Sequence, residues 1–227
     1  MSTKREQAIS ERRRRIFDAA RSIIAQEGLD SLTTRGLAQA AGLTVPTLYN
    51  LVGGKDEILA QMVVQSVEAV WARLAFDSRA TPLEMADAII DEAYLVARDD
   101  KAFHRGILPL MIDLGIVMAA GSGNDDAGAR AAERCVEMAQ SACEAALDQN
   151  MLRGTIAPAE LGQQMFIAYR GPMRDWLEGA ISADEMIRRQ RRGFYLTMAA
   201  DASEAFRSEL LNRIIELNTQ KTIEDAA

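Results

Sequence analysis

The sequence predicts an all-α protein on three observations. Hydrophobic residues make up 48% of its 227 positions but aromatic residues only 5%, and alanine, leucine, isoleucine and methionine abound. This composition as a whole favours helix over strand. Apolar residues recur at helical spacing, and the sequence shows no sustained alternation with a period of two. Two capping boxes, at residues 81–84 and 182–185, are typical helix starts.

Four helices are predicted near the N-terminus, over residues 8–27, 34–41, 44–52 and 55–76. Glycine ends the first three, because Gly28, Gly42 and the pair at 53–54 each follow the last apolar position. Hydroxyl side chains at 33–34 and at Thr44 can cap the second and third helices. Residues 1–7 are expected to fray.

Five longer helical stretches follow, over residues 81–98, 102–119, 127–152, 158–179 and 182–217. The second stretch is predicted to be interrupted by three helix breakers, Gly106, Pro109 and Gly115. The dipeptide at 171–172, Gly-Pro, predicts a kink in a later helix. Residues 121–128 form the clearest loop in the sequence, and residues 219–227 are expected to fray.

Composition and charge exclude several classes of protein. No apolar run is long enough for a transmembrane helix or placed like a secretory signal, so no membrane association is predicted and the expected location is the cytoplasm. Two cysteines and one histidine are too few for a disulfide framework or a structural zinc site. The net charge is −7, yet residues 1–60 hold 9 Lys/Arg against 7 Asp/Glu, so only this N-terminal head is expected to meet a polyanion.

Residues 34–52 have the features of a helix-turn-helix. Gly42 stands where the turn needs a positive φ, and Ala38 is small enough for the two helices to cross closely. Apolar residues are spaced to bury one face of both helices, at Leu37, Ala41, Leu43, Leu48 and Leu51. A helical corner in an ordinary bundle has a similar pattern, but the basic head and the polar face of 44–50 favour DNA binding.

Residues 12–59 resemble the DNA-binding domain of the TetR family of repressors. The matching positions are Ile16-Phe17-x-Ala19-Ala20, Gly28, Thr34, Leu37-Ala38, Ala41-Gly42, Thr47-Leu48-Tyr49 and Lys55-x-Glu57-Ile58-Leu59. Where the family usually has an aromatic pair, this chain has Leu51-Val52, which keeps the packing role but loses any polar contact of a second tyrosine. The rest of the chain matches only in length and helical character.

The resemblance implies a DNA-binding domain at 1–54 and an effector-binding and dimerisation domain at 55–227, with 55–76 as the linking helix. It also implies a homodimer in which the last two main helices of each copy form a four-helix interface. Apolar residues on the late helices are Leu161, Met165, Ala168, Tyr169, Trp176, Phe194, Met198, Phe206, Leu210 and Ile214. They could equally be ordinary core, and the sequence does not separate the two.

Nine residues are candidates for contact with double-stranded DNA: Thr34, Arg35, Thr44, Val45, Pro46, Thr47, Tyr49, Asn50 and Lys55. Because the third helix is short, only its N-terminal half can reach base edges. Asn50 could pair with adenine, and Pro46 could contact a thymine methyl. Tyr49 resembles the phosphate-contacting tyrosine of the family, and Thr34 and Lys55 stand at helix N-termini, where phosphates bind. Tyr49 could instead be packed and Lys55 solvated.

Four successive arginines, residues 12–15, point in four directions on a helix, so they cannot all face DNA. At least two of them are expected to be solvated. Together with Lys4 and Arg5 they form a basic entry that could lie along the DNA backbone or in the minor groove.

The rest of the chain carries no catalytic, cofactor or metal motif: it has no Gly-x-Ser-x-Gly, no phosphate loop and no His-Glu-x-x-His. An enzyme would have to depend on His104, the only histidine, and a lone histidine near apolar residues is more often a core or surface residue. No catalytic residue, cofactor or metal is therefore expected. The arginines at 188–192 look like an anion site, but Asp184 and Glu185 stand four residues before Arg188 and Arg189 and should pair with them.

A ligand pocket is expected between the helices around 83–120 and those around 130–177. Helix breakers there would leave gaps, and methionine lines irregular gaps flexibly. The expected lining residues are His104, Met111, Asp113, Met138, Met165, Tyr169 and Trp176. Each methionine could equally be plain core.

The function predicted from the sequence is that of a cytoplasmic, homodimeric, sequence-specific DNA-binding repressor. An unknown small apolar effector would release it from a palindromic operator. The alternative is a DNA-binding architectural or protein-recruiting factor without a small-molecule inducer.

Overall fold

The computed structural model describes residues 4–74, 80–120 and 127–224, and within them the side chains of 4–74, 80–110, 131 and 133–219. The described residues form ten α-helices, α1 to α10 in chain order: Lys4–Glu27, Thr34–Ala40, Val45–Val52, Lys55–Arg73, Pro82–Asp99, Lys101–Ala120, Ala127–Asp148, Pro158–Leu177, Ala183–Ala199 and Glu204–Glu224. A short 3-10 helix, Leu29–Ser31, joins α1 to α2. The all-α prediction is confirmed, and no described helix has the length and apolar character needed to cross a membrane.

The predicted capping box at 81–84 forms in full, and at 182–185 the Ser182 half of the second box forms. At the start of α5, the backbone N–H of Thr81 donates to the Glu84 carboxylate (2.7 Å), and the N–H of Glu84 donates to the Thr81 hydroxyl (3.3 Å). At the start of α9, the N–H of Glu185 donates to the Ser182 hydroxyl (3.2 Å). These local bonds satisfy N–H groups that would otherwise lack a helical partner.

Several helix ends differ from the prediction. α7 ends at Asp148 instead of 152, and α8 ends at Leu177 instead of 179. α1 starts at Lys4, so residues 4–7 are helical instead of frayed, and α10 continues to Glu224, past the predicted end at 217. α4 ends at Arg73, before the predicted end at 76, because Leu74 is no longer helical. Most of the predicted loop at 121–128 lies outside the described residues. The last two residues of that loop, 127–128, belong to α7.

The predicted interruption of the sixth helix is wrong. α6 runs unbroken through Gly106, Pro109 and Gly115. A proline inside a helix removes one backbone hydrogen bond and need not end the helix when tertiary packing holds it. Gly106 has such a packing role, because a Cβ at this position would lie 3.1 Å from the Ile24 carbonyl oxygen and still closer to the Ile24 side chain. α8 continues through Pro172, and the kink expected at 171–172 stays a prediction.

The predicted single stretch at 182–217 is also wrong, because residues 200–203 divide it into α9 and α10. The break is held from a distant part of the chain. The side chain of Asp201, fully buried, accepts hydrogen bonds from the N–H groups of Gly154 (2.8 Å) and Thr155 (3.1 Å). The backbone of this segment also accepts from the Arg153 N–H (2.8 Å), which fixes the non-helical connection.

The chain divides into two compact units. The first comprises the described parts of Met1–Glu68 and Asp99–Ala131, and it contains α1, α2, α3, most of α4, and α6. α1 packs against α2, α3 and α6. The core of this unit is formed by fully buried apolar side chains, which include Ile16, Ala20, Ile24, Leu37, Leu48, Ile58, Met62, Phe103 and Ile107.

The second unit comprises the described parts of Ala69–Arg98 and Ala132–Ala227. α9 packs against both α8 and α10. Two glycines allow close helix approach, since a Cβ on Gly162 would lie 2.9 Å from the Gln140 backbone nitrogen and one on Gly193 would lie 2.7 Å from the Ala168 Cβ. These units describe packing only, and the functional division at 54/55 remains a prediction.

Candidate nucleic-acid interface

The turn between α2 and α3 is built by local hydrogen bonds. Thr33 caps α2, because its hydroxyl accepts from the Gly36 N–H at 3.1 Å. Gly42 has φ +67°, the left-handed conformation that glycine adopts without strain. This turn brings the Leu43 N–H to the Ala38 carbonyl at 2.8 Å, which closes the end of α2. Thr44 then caps α3 by accepting from the Thr47 N–H at 3.4 Å.

Apolar contacts fix the crossing of α2 and α3. Ala38 is buried, as its small size predicted. Of the five residues predicted to form the buried face, three are buried, namely Leu37, Ala41 and Leu48. Leu43 and Leu51 are half-buried, and Val52 completes the buried face instead. The departure from an aromatic pair at 51–52 therefore leaves the packing intact.

The other face of α3 is open to solvent. Thr44, Pro46 and Asn50 are exposed, and Val45 and Thr47 are half-buried. The hydroxyls of Thr44 and Thr47 lie 2.8 Å apart and hold each other in place. The helix thus presents a small polar surface that includes the Asn50 amide, which is the chemistry that reads base edges.

Tyr49 projects from α3 beside the start of α4. Its side chain is 52% exposed, so it is not a packed core residue. A Cβ on Gly54 would lie 3.2 Å from the Tyr49 ring, so the glycine leaves the room that the ring occupies. The phenol stays accessible, as a contact with a phosphate would require.

The residues at the starts of α2 and α4 are less uniform. Thr34, the first residue of α2, is half-buried, and Arg35 beside it is exposed. Lys55 is half-buried, and its Nζ donates to the carbonyl of Leu29 at 3.3 Å. The side chain is therefore not simply solvated, but an ammonium has three donors and two remain for a phosphate. The Glu57 carboxylate accepts a hydrogen bond from the Gly54 N–H at 3.0 Å.

The four arginines at 12–15 are all exposed, but they differ in their partners. Arg13 Nη2 donates to Gln61 Oε1 of α4 at 3.2 Å. Arg14 lies 3.7 Å from Asp18, one turn further along the helix. Arg12 and Arg15 turn toward the helix-turn-helix and line an open groove with five of its residues, Gln39, Gly42, Leu43, Thr44 and Thr47. We call this the α1–α3 groove.

The residues expected to bind an effector fall in both compact units. His104 belongs to the first unit, and Met138, Met165, Tyr169 and Trp176 belong to the second. The side chains of Met111 and Asp113 lie outside the described residues.

The effector candidates of the second unit pack within it. Met138 and Met165 are buried, with Met165 Sδ 3.5 Å from the Cys143 thiol. Trp176 packs edge-on against Tyr94, with ring centroids 5.4 Å apart. Tyr169 is half-buried, and burial raises the pKa of its phenol. A role of these side chains in ligand binding remains a proposal.

His104 is buried and has one clear partner. Its Nδ1 lies 2.9 Å from the Asp100 carbonyl oxygen, and because a carbonyl only accepts, Nδ1 carries the proton. Burial lowers the pKa of the imidazole, and this effect outweighs the hydrogen bond to the Asp100 carbonyl, which raises it. The side chain is thus a neutral, packed histidine. No group of three or more potential metal ligands occurs among the described residues.

A polar cluster that the sequence analysis missed joins α5 to α9. The Tyr195 hydroxyl donates to Asp87 at 2.8 Å, and Arg191 bridges Asp87 (3.2 Å) and Asp91 (2.9 Å). Burial raises the pKa of Asp87, and Arg191 opposes that shift. The partners are about a hundred residues apart in sequence, so local spacing carries no signal for them.

Of the two ion pairs predicted for the neighbouring arginines, one forms. Arg189 contacts Glu185 at 2.7 Å. Arg188 also pairs with Glu185, at 3.2 Å, where the sequence predicted Asp184. These ion pairs account for much of the charge at 188–192 without an anion.

Comparison with known families and structures identifies a resemblance in both sequence and fold. Residues 16–62 match the model of the bacterial regulatory proteins of the TetR family. No curated protein matches the chain. Similar solved structures include a putative TetR-family transcriptional regulator from Rhodococcus sp., at 18% identity and TM-score 0.62, covering 83% of this chain and 99% of that one.

Two further structures have the same fold. SmeT, the repressor of the Stenotrophomonas maltophilia multidrug efflux pump SmeDEF, is 20% identical with a TM-score of 0.61, covering 86% of this chain and 92% of that one. TylP, a TetR regulator from Streptomyces fradiae, is 17% identical with a TM-score of 0.62, covering 93% and 97%. At these identities the similarity shows the fold.

Proposed function

We infer that this chain, which belongs to the TetR family of transcriptional regulators, is a homodimeric repressor that binds a palindromic operator and leaves it when a small apolar effector binds. The observation that carries the proposal is the exposed polar face of α3, which is held by the capped, glycine-closed turn after α2. Asn50 is exposed on this face beside Thr47, and Tyr49 stands free at its edge.

The contacts with DNA divide by chemistry. Asn50 and Thr47 offer donors and acceptors to base edges, and Val45 and Pro46 offer apolar contact to a thymine methyl. Tyr49, Thr34, Arg35 and Lys55 surround this reading surface and are proposed to bind phosphates, which set the register of the helix on the duplex. Specificity is thus assigned to α3 and affinity to its border.

Dimerisation is supported by an apolar surface on the last three helices. Four large apolar side chains there are exposed in the single chain: Ile167 on α8, Leu196 on α9, and Leu211 and Ile215 on α10. The residues that the sequence left open between core and interface are mostly core, since Phe194, Met198, Phe206 and Leu210 are buried within the chain. A second copy covering the exposed set would remove it from water.

Release by an effector is supported by the packing of α6 on α1. Arg21 of α1 pairs with Asp100, and Gly106 of α6 lies against Ile24 of α1. Any displacement of α6 is therefore passed by direct contact to the helix on which α2 and α3 pack. An effector that binds one position of α6 more tightly than the other would shift the population of the DNA-binding form. SmeT, which shares the fold, is described as a repressor.

The proposal is tested with the purified full chain in two steps. A pool of random duplexes is selected for binding, and the selected site is footprinted; a repeated, inverted half-site supports a dimeric reader. A panel of small apolar compounds is then screened by thermal shift, because a ligand that binds only the folded state raises the melting temperature. A DNA-binding chain that no compound stabilises or releases would favour a factor without an inducer.

A further inference from the structure

Arg12 and Arg15 differ from Arg13 and Arg14 in their side-chain partners within the chain. Arg13 is bonded to Gln61, and Arg14 is paired with Asp18. Within the described part of the chain, neither Arg12 nor Arg15 forms an ion pair or a side-chain hydrogen bond, and both are exposed. Two extended cations are thus left on one face of α1.

Both side chains line the α1–α3 groove, and so does Thr44, the N-cap residue of α3. Thr44 and Thr47, which are proposed to contact DNA, are part of the same lining. A duplex that reaches these hydroxyls therefore comes within reach of the two guanidinium groups. Both arginines precede the segment 16–62 that matches the family model.

We propose that Arg12 and Arg15 bind two phosphates of the DNA strand that borders the base pairs read by α3, an inference that rests on the proposed function. The arginines are three residues apart, so they lie about 4.5 Å apart along the helix axis. Long arginine side chains at that separation can reach two neighbouring phosphates of one strand. Arg5 lies on the same face two turns earlier and extends the stripe.

Phosphate is the target because the major groove has no room for a second helix. The groove is about 12 Å wide and admits one α-helix, and α3 takes that place in the proposed complex. A helix on its flank faces the sugar–phosphate backbone. The guanidinium group also matches the geometry of phosphate oxygens and can donate to two of them at once. The contacts of Arg12 and Arg15 therefore add affinity without adding sequence preference.

The experiment compares Arg12→Ala/Arg15→Ala with Arg14→Ala in the full-length protein. The control, Arg14→Ala, removes a cation from the same exposed stretch of α1. Unlike Arg12 and Arg15, Arg14 is paired with Asp18. The affinity for the operator selected by the wild-type protein, and for an unrelated duplex, is measured by fluorescence anisotropy over a series of salt concentrations. Each lost phosphate contact lowers the salt slope by about 0.9.

The expected result is a salt slope smaller by about 1.8 in the double variant, and a loss of affinity on the order of 30-fold at 0.15 M salt. The loss is equal on the operator and on the unrelated duplex, and Arg14→Ala behaves like the wild type. Arg12→Lys/Arg15→Lys keeps the two charges and retains the slope, which separates a loss of contacts from a loss of folding.

Two results would overturn the inference and leave the proposed function standing. One is a double alanine variant that binds both duplexes like Arg14→Ala. The other is a changed base preference at an unchanged salt slope, which would make the arginines readers of bases. If the wild-type protein selects no duplex at all, the proposed function fails, and the inference fails with it.

Discussion

Arg21 on α1 and Asp100, the residue before α6, form an ion pair with 2.8 Å between Nη1 and Oδ2. The same guanidinium lies over the Phe103 ring, 4.0 Å from its centroid. About a third of each charged side chain is exposed, so the ion pair contributes at most about 1 kcal/mol. The cation–π contact contributes a similar amount. The attachment of α6 to α1 must therefore depend mainly on close packing further along, where Gly106 meets Ile24.

Gly106→Ala is expected to destabilise the protein although alanine favours helix. The added methyl group meets the Ile24 side chain and lies 3.1 Å from the Ile24 carbonyl oxygen, so α1 and α6 must move apart. Overpacking of this kind costs about 1–3 kcal/mol, more than the helix propensity of alanine returns. Urea unfolding of the two proteins measures the change in free energy.

The control for this prediction is a double-mutant cycle with Ile24→Ala. That substitution is destabilising alone, since Ile24 is buried, but it also removes the side chain that the new methyl group strikes. The double variant should be more stable than the sum of the two losses by about 0.5–3 kcal/mol. If the two losses added exactly, the methyl group added at residue 106 would not be in contact with the Ile24 side chain.

His104 is expected to make the protein less stable in mild acid. The folded protein keeps the imidazole neutral because burial lowers its pKa, whereas the unfolded chain binds a proton near pH 6.5. Stability is therefore complete above the unfolded pKa and is lost as the pH falls below about 6.5, where the unfolded state binds more protons.

The measurement is the free energy of unfolding from pH 8 to pH 5.5, compared with that of His104→Gln. His104 is the only histidine in the chain, so the difference between the two curves isolates its titration from that of the carboxylates. The difference should shrink as the pH falls. A wild-type protein that gains stability relative to the variant on acidification would contradict the assignment of a neutral, buried imidazole.

Ile215→Glu is expected to dissociate the homodimer. The side chain is 60% exposed in the single chain and belongs to the apolar surface proposed for the partner. Burying an isoleucine contributes about 1.5–3 kcal/mol, and a two-fold interface loses it twice, so the dimer should weaken at least about 100-fold. Sedimentation velocity at several concentrations measures the dissociation constant.

The matched control for the dimer is Ile9→Glu. Ile9 is also a large apolar residue exposed in the single chain, at 37%, but it lies on α1 and far in sequence from α8, α9 and α10. This variant should sediment like the wild type. Equal dissociation by both variants would place the interface elsewhere or reveal a general loss of folding.

Asn50→Ala and Lys55→Ala are expected to weaken DNA binding in different ways. Loss of the Asn50 amide should cost about 1–3 kcal/mol on the selected operator and little on an unrelated duplex. Loss of the Lys55 ammonium should weaken binding to every duplex and lower the salt slope by about one. The assignment of roles is wrong if Lys55→Ala changes base preference and leaves the salt slope unchanged.

The sequence predicts the local features of this protein well. Gly42, the caps at Thr33, Thr44 and Ser182, and the capping box at 81–84 act through bonds that span a few residues, so spacing alone reveals them. The positions that match the TetR family are of the same kind, because they form one short turn and the helices beside it.

What the sequence does not predict is set by distant contacts. From the sequence, Gly106 is predicted to break a helix. In the structure a glycine is needed there because Ile24, about eighty residues earlier, packs against its backbone. The break before α10 depends on the hydrogen bonds that the Asp201 carboxylate accepts from the N–H groups of Gly154 and Thr155. Likewise, the pattern of arginines on α1 does not show which two face the groove, because that depends on where α3 packs.

The most direct test of a dimeric operator reader compares three duplexes: the selected site, the same site with one half scrambled, and the site with the two halves moved apart by about five base pairs, half a helical turn. We expect two chains to bind the intact palindrome and either change to weaken binding strongly. Scrambling gives one α3 a wrong sequence, and the added half turn places its half-site on the wrong side of the duplex. A chain that binds the single half-site as tightly as the palindrome, in one copy, would contradict this expectation.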